Sequence, residues 1–186
     1  MELLDLSTLL PHAQLDIRYA GANNFIGQQV YPLAKAYLVA DASKALQKAN
    51  DEFNAKGFGL LIWDAYRPYS VTKIFWERTP EYLRSFLGDP ASGGSPHNRG
   101  CAIDLTLYDL ATGQPLKMPT EFDDFTAAAK MDYTPADAEI RSNRNLLQQI
   151  MEKYGFTVRE DEWWHYNWEG YEKYPLLDIP FNQLSV

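Results

Sequence analysis

The sequence predicts a single α+β domain in which two substantial helices flank a small, mainly antiparallel sheet. Apolar residues recur at helical spacing in two long stretches, which predicts the helices. Short apolar or alternating runs bounded by turn residues lie around these stretches and predict the strands. The chain of 186 residues is 46% apolar, enough to bury one sizeable core, so we expect residues 1–186 to form one domain.

The first third of the chain predicts an edge strand, a core helix and a buried strand. Residues 15–19 alternate between apolar and polar, as an edge strand does. From about residue 33 to residue 56 the apolar positions have helical spacing, and Gly57 supplies a C-terminal stop. Gly59–Trp63 is a continuous apolar run, typical of a strand buried on both faces.

The middle of the chain predicts a short helix, a long loop and a second strand. Ser70 can cap a helix that runs through about Glu77, and a loop rich in glycine and proline follows. Cys101–Tyr108 alternates as a half-buried strand does, with Asp104 on the face away from the apolar side chains.

The last third predicts a second long helix and a pair of strands. Thr134 can cap this helix, Pro135 suits its first position, and Gly155 ends it. Phe156–Val158 then forms a strand, and an acidic turn leads into another strand that ends near Trp168.

Two histidines and an aspartate make up a candidate metal site. His97, Asp104 and His165 offer two imidazoles and a carboxylate, the ligands that zinc takes in catalytic sites with a fourth position left for water. Gly94 and Gly100 flank His97 and let the backbone bend back toward Asp104. We therefore expect one Zn²⁺ per chain. The alternative is that these histidines are ordinary hydrogen-bonded residues.

Two further residues suit catalysis beside such a metal. Zinc lowers the pKa of a bound water to about 7, and Glu162 could take its proton and deliver it to a leaving amine. Residues three apart lie on opposite faces of a strand, so we expect Glu162 on a turn or bulge and His165 on a strand of its own. Arg67 lies at the end of a buried strand. Its guanidinium is a permanently charged, forked hydrogen-bond donor, which suits it to stabilise an oxyanion. Its alternative role is a structural ion pair with Asp64.

Three blocks of the sequence together resemble one family. S-x-H-x-x-G-x-A-x-D at residues 95–104, E-W-W-H at 162–165 and D-x-Y-R-P at 64–68 are similar to the zinc peptidases that include the D-alanyl-D-alanine dipeptidases and the related D,D-carboxypeptidases. The resemblance runs from about residue 16 to residue 166. It implies a zinc metallopeptidase that hydrolyses the free dipeptide D-alanyl-D-alanine, with Glu162 activating water and Arg67 facing the zinc.

The resemblance also implies the residues that contact the substrate. Asp123 stands in an F-D motif and would pair with the ammonium of a free dipeptide. Ser95 would donate its hydroxyl to the substrate carboxylate, and Tyr31 belongs to a region that lines the cleft. The alternative is that Asp123 belongs to a solvated acidic surface, that Ser95 is an ordinary turn residue and that Tyr31 is an ordinary loop residue.

Composition excludes several classes of partner. A net charge of −8 argues against nucleic acid and against an anionic membrane surface as partners. The family resemblance implies a small dipeptide as the partner. A single cysteine excludes an internal disulfide framework. The N-terminus has neither a basic segment nor a long apolar run, so we predict no signal peptide, no membrane span and a cytoplasmic protein. The sequence leaves the oligomeric state open.

Two other functions fit parts of the pattern. A D,D-carboxypeptidase would act on longer peptidoglycan stem peptides, but a carboxylate at Asp123 that expects an ammonium disfavours an acylated substrate. A binding domain with a zinc scaffold, as in signalling domains of the hedgehog type, would have no need of Glu162, Arg67 and Asp123 together. Hydrolysis of a free dipeptide is therefore the preferred interpretation.

Overall fold

A five-stranded, mainly antiparallel sheet forms the centre of the computed structural model, which describes residues 2–184. Along the chain the strands are β1 (Leu3–Asp5), β2 (Gln14–Leu15), β3 (Tyr37–Val39), β4 (Phe58–Asp64), β5 (Ala102–Asp109), β6 (Phe156–Arg159) and β7 (Glu162–Trp168). The helices are α1 (Leu6–Leu9), α2 (Ala40–Ala55), α3 (Tyr69–Arg78) and α4 (Ala138–Lys153).

The sheet has the order β2-β4-β5-β7-β6, and β1 pairs with β3 in a separate ribbon. Only β2 and β4 pair in parallel, whereas the other pairs are antiparallel. The two long helices α2 and α4 contact each other, α2 also contacts β4, and α4 contacts β6. Buried apolar residues from both halves of the chain form one cluster. The predicted α+β architecture is confirmed.

The boundaries of the predicted helices are wrong in three places. The stretch before Ala40 is not helical, because residues 37–39 are buried and pair with β1. The helix α4 begins at Ala138 with Asp137 as its cap, and the Asp137 carboxylate accepts the Glu139 N–H at 2.8 Å, so Thr134 and Pro135 lie outside it. Ser70 does not cap α3, and its N–H instead donates to the Asp178 carboxylate at 2.8 Å.

Two of the predicted strands also differ from the structure. The edge strand is shorter than expected, since β2 covers residues 14–15 and residues 18–20 form a 3₁₀ turn that buries Tyr19. The strand β5 is buried on both faces from Ala102 to Tyr108, not on one. Asp104 and Thr106 lie on the face that the alternation predicted, but that face is covered as well.

Within residues 2–184, no helix is both long enough and apolar enough to span a membrane. The cytoplasmic location stays a prediction.

The short turn that carries His97 depends on Asn98. The Asn98 side chain is fully buried, accepts the Ser95 N–H at 2.8 Å and donates to the Arg67 carbonyl and the Thr72 hydroxyl, both at 2.8 Å. The Asn98 carbonyl accepts the Leu177 N–H at 2.8 Å, which ties the C-terminal tail to the same turn. One amide therefore connects the turn to the end of β4 and to α3.

We expect Asn98→Ala to lower the free energy of unfolding by about 1–3 kcal/mol for each buried partner left without a hydrogen bond. Urea unfolding followed by circular dichroism measures the change. Asn143→Ala is the matched control, because Asn143 is half-buried and its amide makes one hydrogen bond, to the Lys117 carbonyl at 3.0 Å. Equal losses in the two variants would contradict the role of Asn98.

Candidate active site

The pairing of three central strands brings the candidate site residues together. In the register, Asp64 of β4 lies beside Asp104 of β5, and Asp104 lies beside His165 of β7. A register shift in β4 between Ile62 and Asp64 accompanies this arrangement. The polar face of the sheet therefore carries two carboxylates and an imidazole in one row.

His97 reaches this row from a 3₁₀ turn at Pro96–Arg99. The Ser95 hydroxyl caps the turn by accepting the His97 N–H at 3.3 Å. The turn ends at Gly100, which has a left-handed φ of +64°, and an added Cβ there would lie 2.5 Å from the Leu3 side chain. The bend that the sequence predicted at this glycine is therefore required by both backbone conformation and space.

His97, Asp104 and His165 form a compact buried triad. His97 Nε2 lies 3.1 Å from His165 Nδ1 and 3.3 Å from Asp104 Oδ2, while His165 Nδ1 lies 3.0 Å from Asp104 Oδ1. Tetrahedral zinc with ligand distances of about 2.0–2.1 Å needs donor atoms about 3.3 Å apart. His97 Nδ1 lies 2.6 Å from the Ala65 carbonyl, so its proton is held there and Nε2 is free to bind a cation. The donor set therefore fits a zinc ion.

The charges around the triad also favour a bound cation. Burial alone would raise the pKa of Asp104, but the neighbouring His97 and His165 rings outweigh burial and lower that pKa below its usual value. Asp104 is thus held as a carboxylate, and it is only 3% exposed. A buried carboxylate needs an opposite charge close by, which a divalent ion between the two imidazoles would provide.

Glu162 opens β7 and lies beside the triad. Its Oε2 is 3.7 Å from His165 Nδ1 and 3.9 Å from Arg159 Nε. In β6, Val158 pairs with Tyr166, but the next residue, Arg159, pairs with Glu162. This irregularity lets Glu162 and His165 face the same side although they are three apart. The predicted bulge is confirmed, but Glu162 shares the strand of His165, contrary to the expectation of a separate strand.

Burial raises the pKa of Glu162 to about 7, against the opposing effects of the Arg159 and His165 charges. A carboxylate with such a pKa can both accept and release a proton near neutral pH.

Arg67 is a buried guanidinium held from several sides. Its Nε and Nη2 donate to Asp64 Oδ2 at 3.0 and 2.6 Å. The guanidinium carbon lies 4.8 Å from the centre of the Phe75 ring and 5.4 Å from that of Tyr19. Asp64 therefore orients Arg67 through an ion pair, while further N–H groups of the fork are not used by these two bonds.

Tyr31 does not line the cavity beside the triad. It is 1% exposed, and its hydroxyl donates to Asp64 Oδ1 at 2.8 Å. The structure thus places Tyr31 against the Asp64–Arg67 pair, where it satisfies the second carboxylate oxygen. The expectation that it contacts substrate directly has no support in this position.

Asp123 has a left-handed φ of +60°, a conformation that is uncommon outside glycine but that aspartate adopts more readily than most residues. Its carboxylate accepts the Tyr19 hydroxyl at 3.0 Å. Burial raises the pKa of Asp123 well above its ordinary value, and the Asp104 charge adds to this rise. A positive ligand group would restore the charged form of Asp123.

The cavity that joins these groups is narrow and lined by both catalytic candidates and aromatic side chains. Ser95, His97, Asp104, Asp123, Glu162, His165 and Arg67 all line it. Its other walls are Tyr19, Phe25, Phe75, Phe86, Leu87, Gly88, Phe125, Arg159 and Trp164. The structure therefore brings together every predicted site residue except Tyr31. His12, the third histidine of the chain, is exposed and does not line this cavity.

Sequence reasoning missed Tyr19 and Arg159 as cavity residues. Tyr19 falls in the stretch read as an edge strand, where a period of two gave it no special position. Arg159 directly follows the predicted strand Phe156–Val158, and its approach to Glu162 depends on the irregular pairing of β6 with β7. No spacing rule in one sequence would have found either residue.

Comparison with known proteins gives a consistent set of relatives. The Peptidase M15 family model, described as D-ala-D-ala dipeptidase, matches residues 1–182. A D-alanyl-D-alanine dipeptidase of Escherichia coli (strain K12) is 35% identical over 97% of this chain and 92% of its own length. Proteins of the same name are 33% identical in Enterococcus faecium, over 94% and 96% of the two chains, and 34% identical in Enterococcus faecalis, over 96% and 93%.

We expect zinc to raise the melting temperature of the protein through this triad. A ligand at 100 times its Kd adds about 2.7 kcal/mol to the stability of the folded state, which corresponds to about 5–10 °C for a chain of this size. Differential scanning fluorimetry of chelator-treated protein with and without added zinc measures the shift.

Asp104→Ala and His165→Ala should melt at the same temperature with and without zinc. His12→Ala is the control, since it removes a histidine outside the triad and should keep the full shift. A normal zinc shift in both triad variants would show that the metal binds elsewhere.

Proposed function

Because the chain belongs to the D-Ala-D-Ala dipeptidase family of peptidases, we propose that it is a zinc-dependent enzyme that hydrolyses free D-alanyl-D-alanine to two molecules of D-alanine. One observation carries this proposal beyond family membership. The metal triad, a carboxylate suited to proton transfer, an arginine and a second carboxylate all line one narrow cavity.

His97, Asp104 and His165 would hold the zinc ion. When bound, zinc acts as a Lewis acid toward the scissile carbonyl and lowers the pKa of its water to about 7. The remaining steps fall to the side chains of this chain.

Glu162 would act as the general base and then as the general acid. It would take a proton from the attacking water and give that proton to the nitrogen of the leaving D-alanine. Its Oε2 lies 3.7 Å from His165 Nδ1, beside the residues that would hold the metal. Its raised pKa, about 7, suits transfer in both directions.

Arg67 would stabilise the negative charge that develops on the carbonyl oxygen. The guanidinium is already oriented by Asp64 and by the Phe75 and Tyr19 rings, so little reorganisation is needed when charge develops. Its N–H groups not bound to Asp64 are available for the oxyanion.

Asp123 and Ser95 would hold the two ends of the dipeptide. Asp123 would pair with the free ammonium, which compensates for the cost of burying this carboxylate. Ser95 accepts a hydrogen bond from His97, which leaves its hydroxyl proton free to donate to the substrate carboxylate.

The test compares release of free alanine from three substrates: D-alanyl-D-alanine, L-alanyl-L-alanine and N-acetyl-D-alanyl-D-alanine. Each is assayed with and without a chelator, and zinc is then added back. We expect chelator-sensitive cleavage of the free D,D-dipeptide alone, because the acetylated form has no ammonium for Asp123.

Other outcomes would select another function. Cleavage of the acetylated substrate at a similar rate would favour a D,D-carboxypeptidase. Tight zinc binding with no cleavage of any substrate would favour a binding domain and would overturn the proposal.

We expect Glu162→Gln to lower kcat by about 10²- to 10⁴-fold, since the amide cannot transfer the proton. Zinc affinity should stay close to that of the wild type, because Glu162 is not a member of the triad. Steady-state kinetics and a zinc competition assay measure the two quantities.

Glu160→Gln is the matched control, a neighbouring exchange of the same type at an exposed residue. It should leave kcat unchanged. Full turnover by Glu162→Gln would remove Glu162 from the mechanism.

A further inference from the structure

The second ring nitrogen of His165 contacts a side chain that no step above uses. His165 Nδ1 faces the triad, 3.0 Å from Asp104 and 3.1 Å from His97. On the opposite side of the ring, Nε2 lies 2.7 Å from the amide oxygen of Asn167. This is a short contact between one ring nitrogen and one acceptor, and it lies outside the row of triad atoms.

Asn167 has a fixed place in the sheet. It follows His165 by two residues on β7, so both side chains point to the same face. Its backbone is paired on both sides, with Ala102 of β5 and with Thr157 of β6. Asparagine is depleted in strands, so strand propensity does not explain why it occupies this doubly paired position.

The contact determines which ring nitrogen carries the proton. An amide oxygen only accepts hydrogen bonds, so Nε2 of His165 must be the N–H group when it bonds to Asn167. The lone pair of Nδ1 is then directed toward the metal position. Metal-bound histidines in general donate their other N–H to such a partner, which fixes both tautomer and ring orientation.

His97 is held in the same way, but the roles of its two ring nitrogens are exchanged. It presents Nε2 to the triad and holds its Nδ1 proton against the Ala65 carbonyl at 2.6 Å. That acceptor is a backbone carbonyl, so a side-chain substitution at residue 65 does not remove it. The partner of His165 is a side chain, so this half of the metal site can be altered by one mutation.

We propose that Asn167 is a positioning residue for the metal site, which holds His165 in the Nε2–H tautomer and so sets the affinity for zinc. The inference rests on the metal site of the proposed function and not on its substrate. Asn167 is half-buried, so water can replace its oxygen when the side chain is shortened but not when an apolar side chain of similar size fills the space.

The test compares zinc affinities of Asn167→Leu, Asn167→Ala and Asn167→Asp by competition with a chromophoric chelator. Loss of such a partner typically weakens metal binding tenfold to a hundredfold. We expect the leucine variant to bind zinc within that range of weakening and the alanine variant to be weakened less. The aspartate variant should bind at least as tightly as the wild type, because a carboxylate accepts the same bond and makes the imidazole a stronger ligand.

Thr157→Leu is the matched control. It places the same leucine on β6 directly opposite Asn167 while leaving the amide in place, so its zinc affinity should equal that of the wild type. Added zinc should restore much of the dipeptidase activity of Asn167→Leu, whereas a purely structural defect would not respond.

Equal zinc affinity in the wild type, Asn167→Leu and Asn167→Ala would overturn the inference. If the leucine variant fails to fold, the alanine and aspartate variants still test the inference. The alanine variant should lose zinc affinity, and the aspartate variant should not. A wild-type protein that binds zinc but cleaves no dipeptide would overturn the proposed function alone and leave this inference intact.

Discussion

The register between β4, β5 and β7 is the constraint on which the rest of the site depends. It sets Asp64, Asp104 and His165 side by side, and the other functional groups are arranged around that row. A slip of one residue would turn each of these side chains to the opposite face of its strand. The apolar residues that alternate with them, such as Ile103 and Leu105, are fully buried, so the hydrophobic core that stabilises the fold also fixes the positions of the candidate metal ligands Asp104 and His165.

The site holds several charged side chains in the protein interior, where burying a charge costs desolvation free energy. Asp64, Asp104 and Glu162 are each 6% exposed or less. Arg67 is the cation nearest to Asp64 and also lies 4.0 Å from Asp104, whereas Arg159 lies 3.9 Å from Glu162. Such buried ion pairs add little to stability, because desolvation offsets much of their attraction. Their value lies in preorganisation, since a dipeptide that enters meets carboxylates and a guanidinium already in position. Aromatic side chains such as Phe75 and Trp164 border these groups, and charges interact more strongly where the surroundings are apolar.

The sequence predicted which candidate site residues lie together better than it predicted element boundaries. His97, Asp104 and His165 carry chemistry in their residue type and spacing, so they could be recognised without coordinates. The start of α2 could not, because residues 37–39 have helical periodicity but gain more from pairing with β1. The positions of Tyr19 and Tyr31 could not be predicted from the sequence either, because they depend on tertiary contacts. Tyr19 lies in the cavity and contacts Asp123, and Tyr31 contacts the Asp64 carboxylate.

The tie between the C-terminal tail and Asn98 couples two distant parts of the chain. The Leu177 N–H donates to the Asn98 carbonyl, next to His97, although the two residues are 79 positions apart in the sequence (177 minus 98). Contacts between segments so far apart contribute only after a long loop has closed, and closing that loop costs chain entropy. The turn that carries His97 therefore reaches its final form only when the tail has docked on it, and a substitution that loosens the tail would also loosen the candidate metal site.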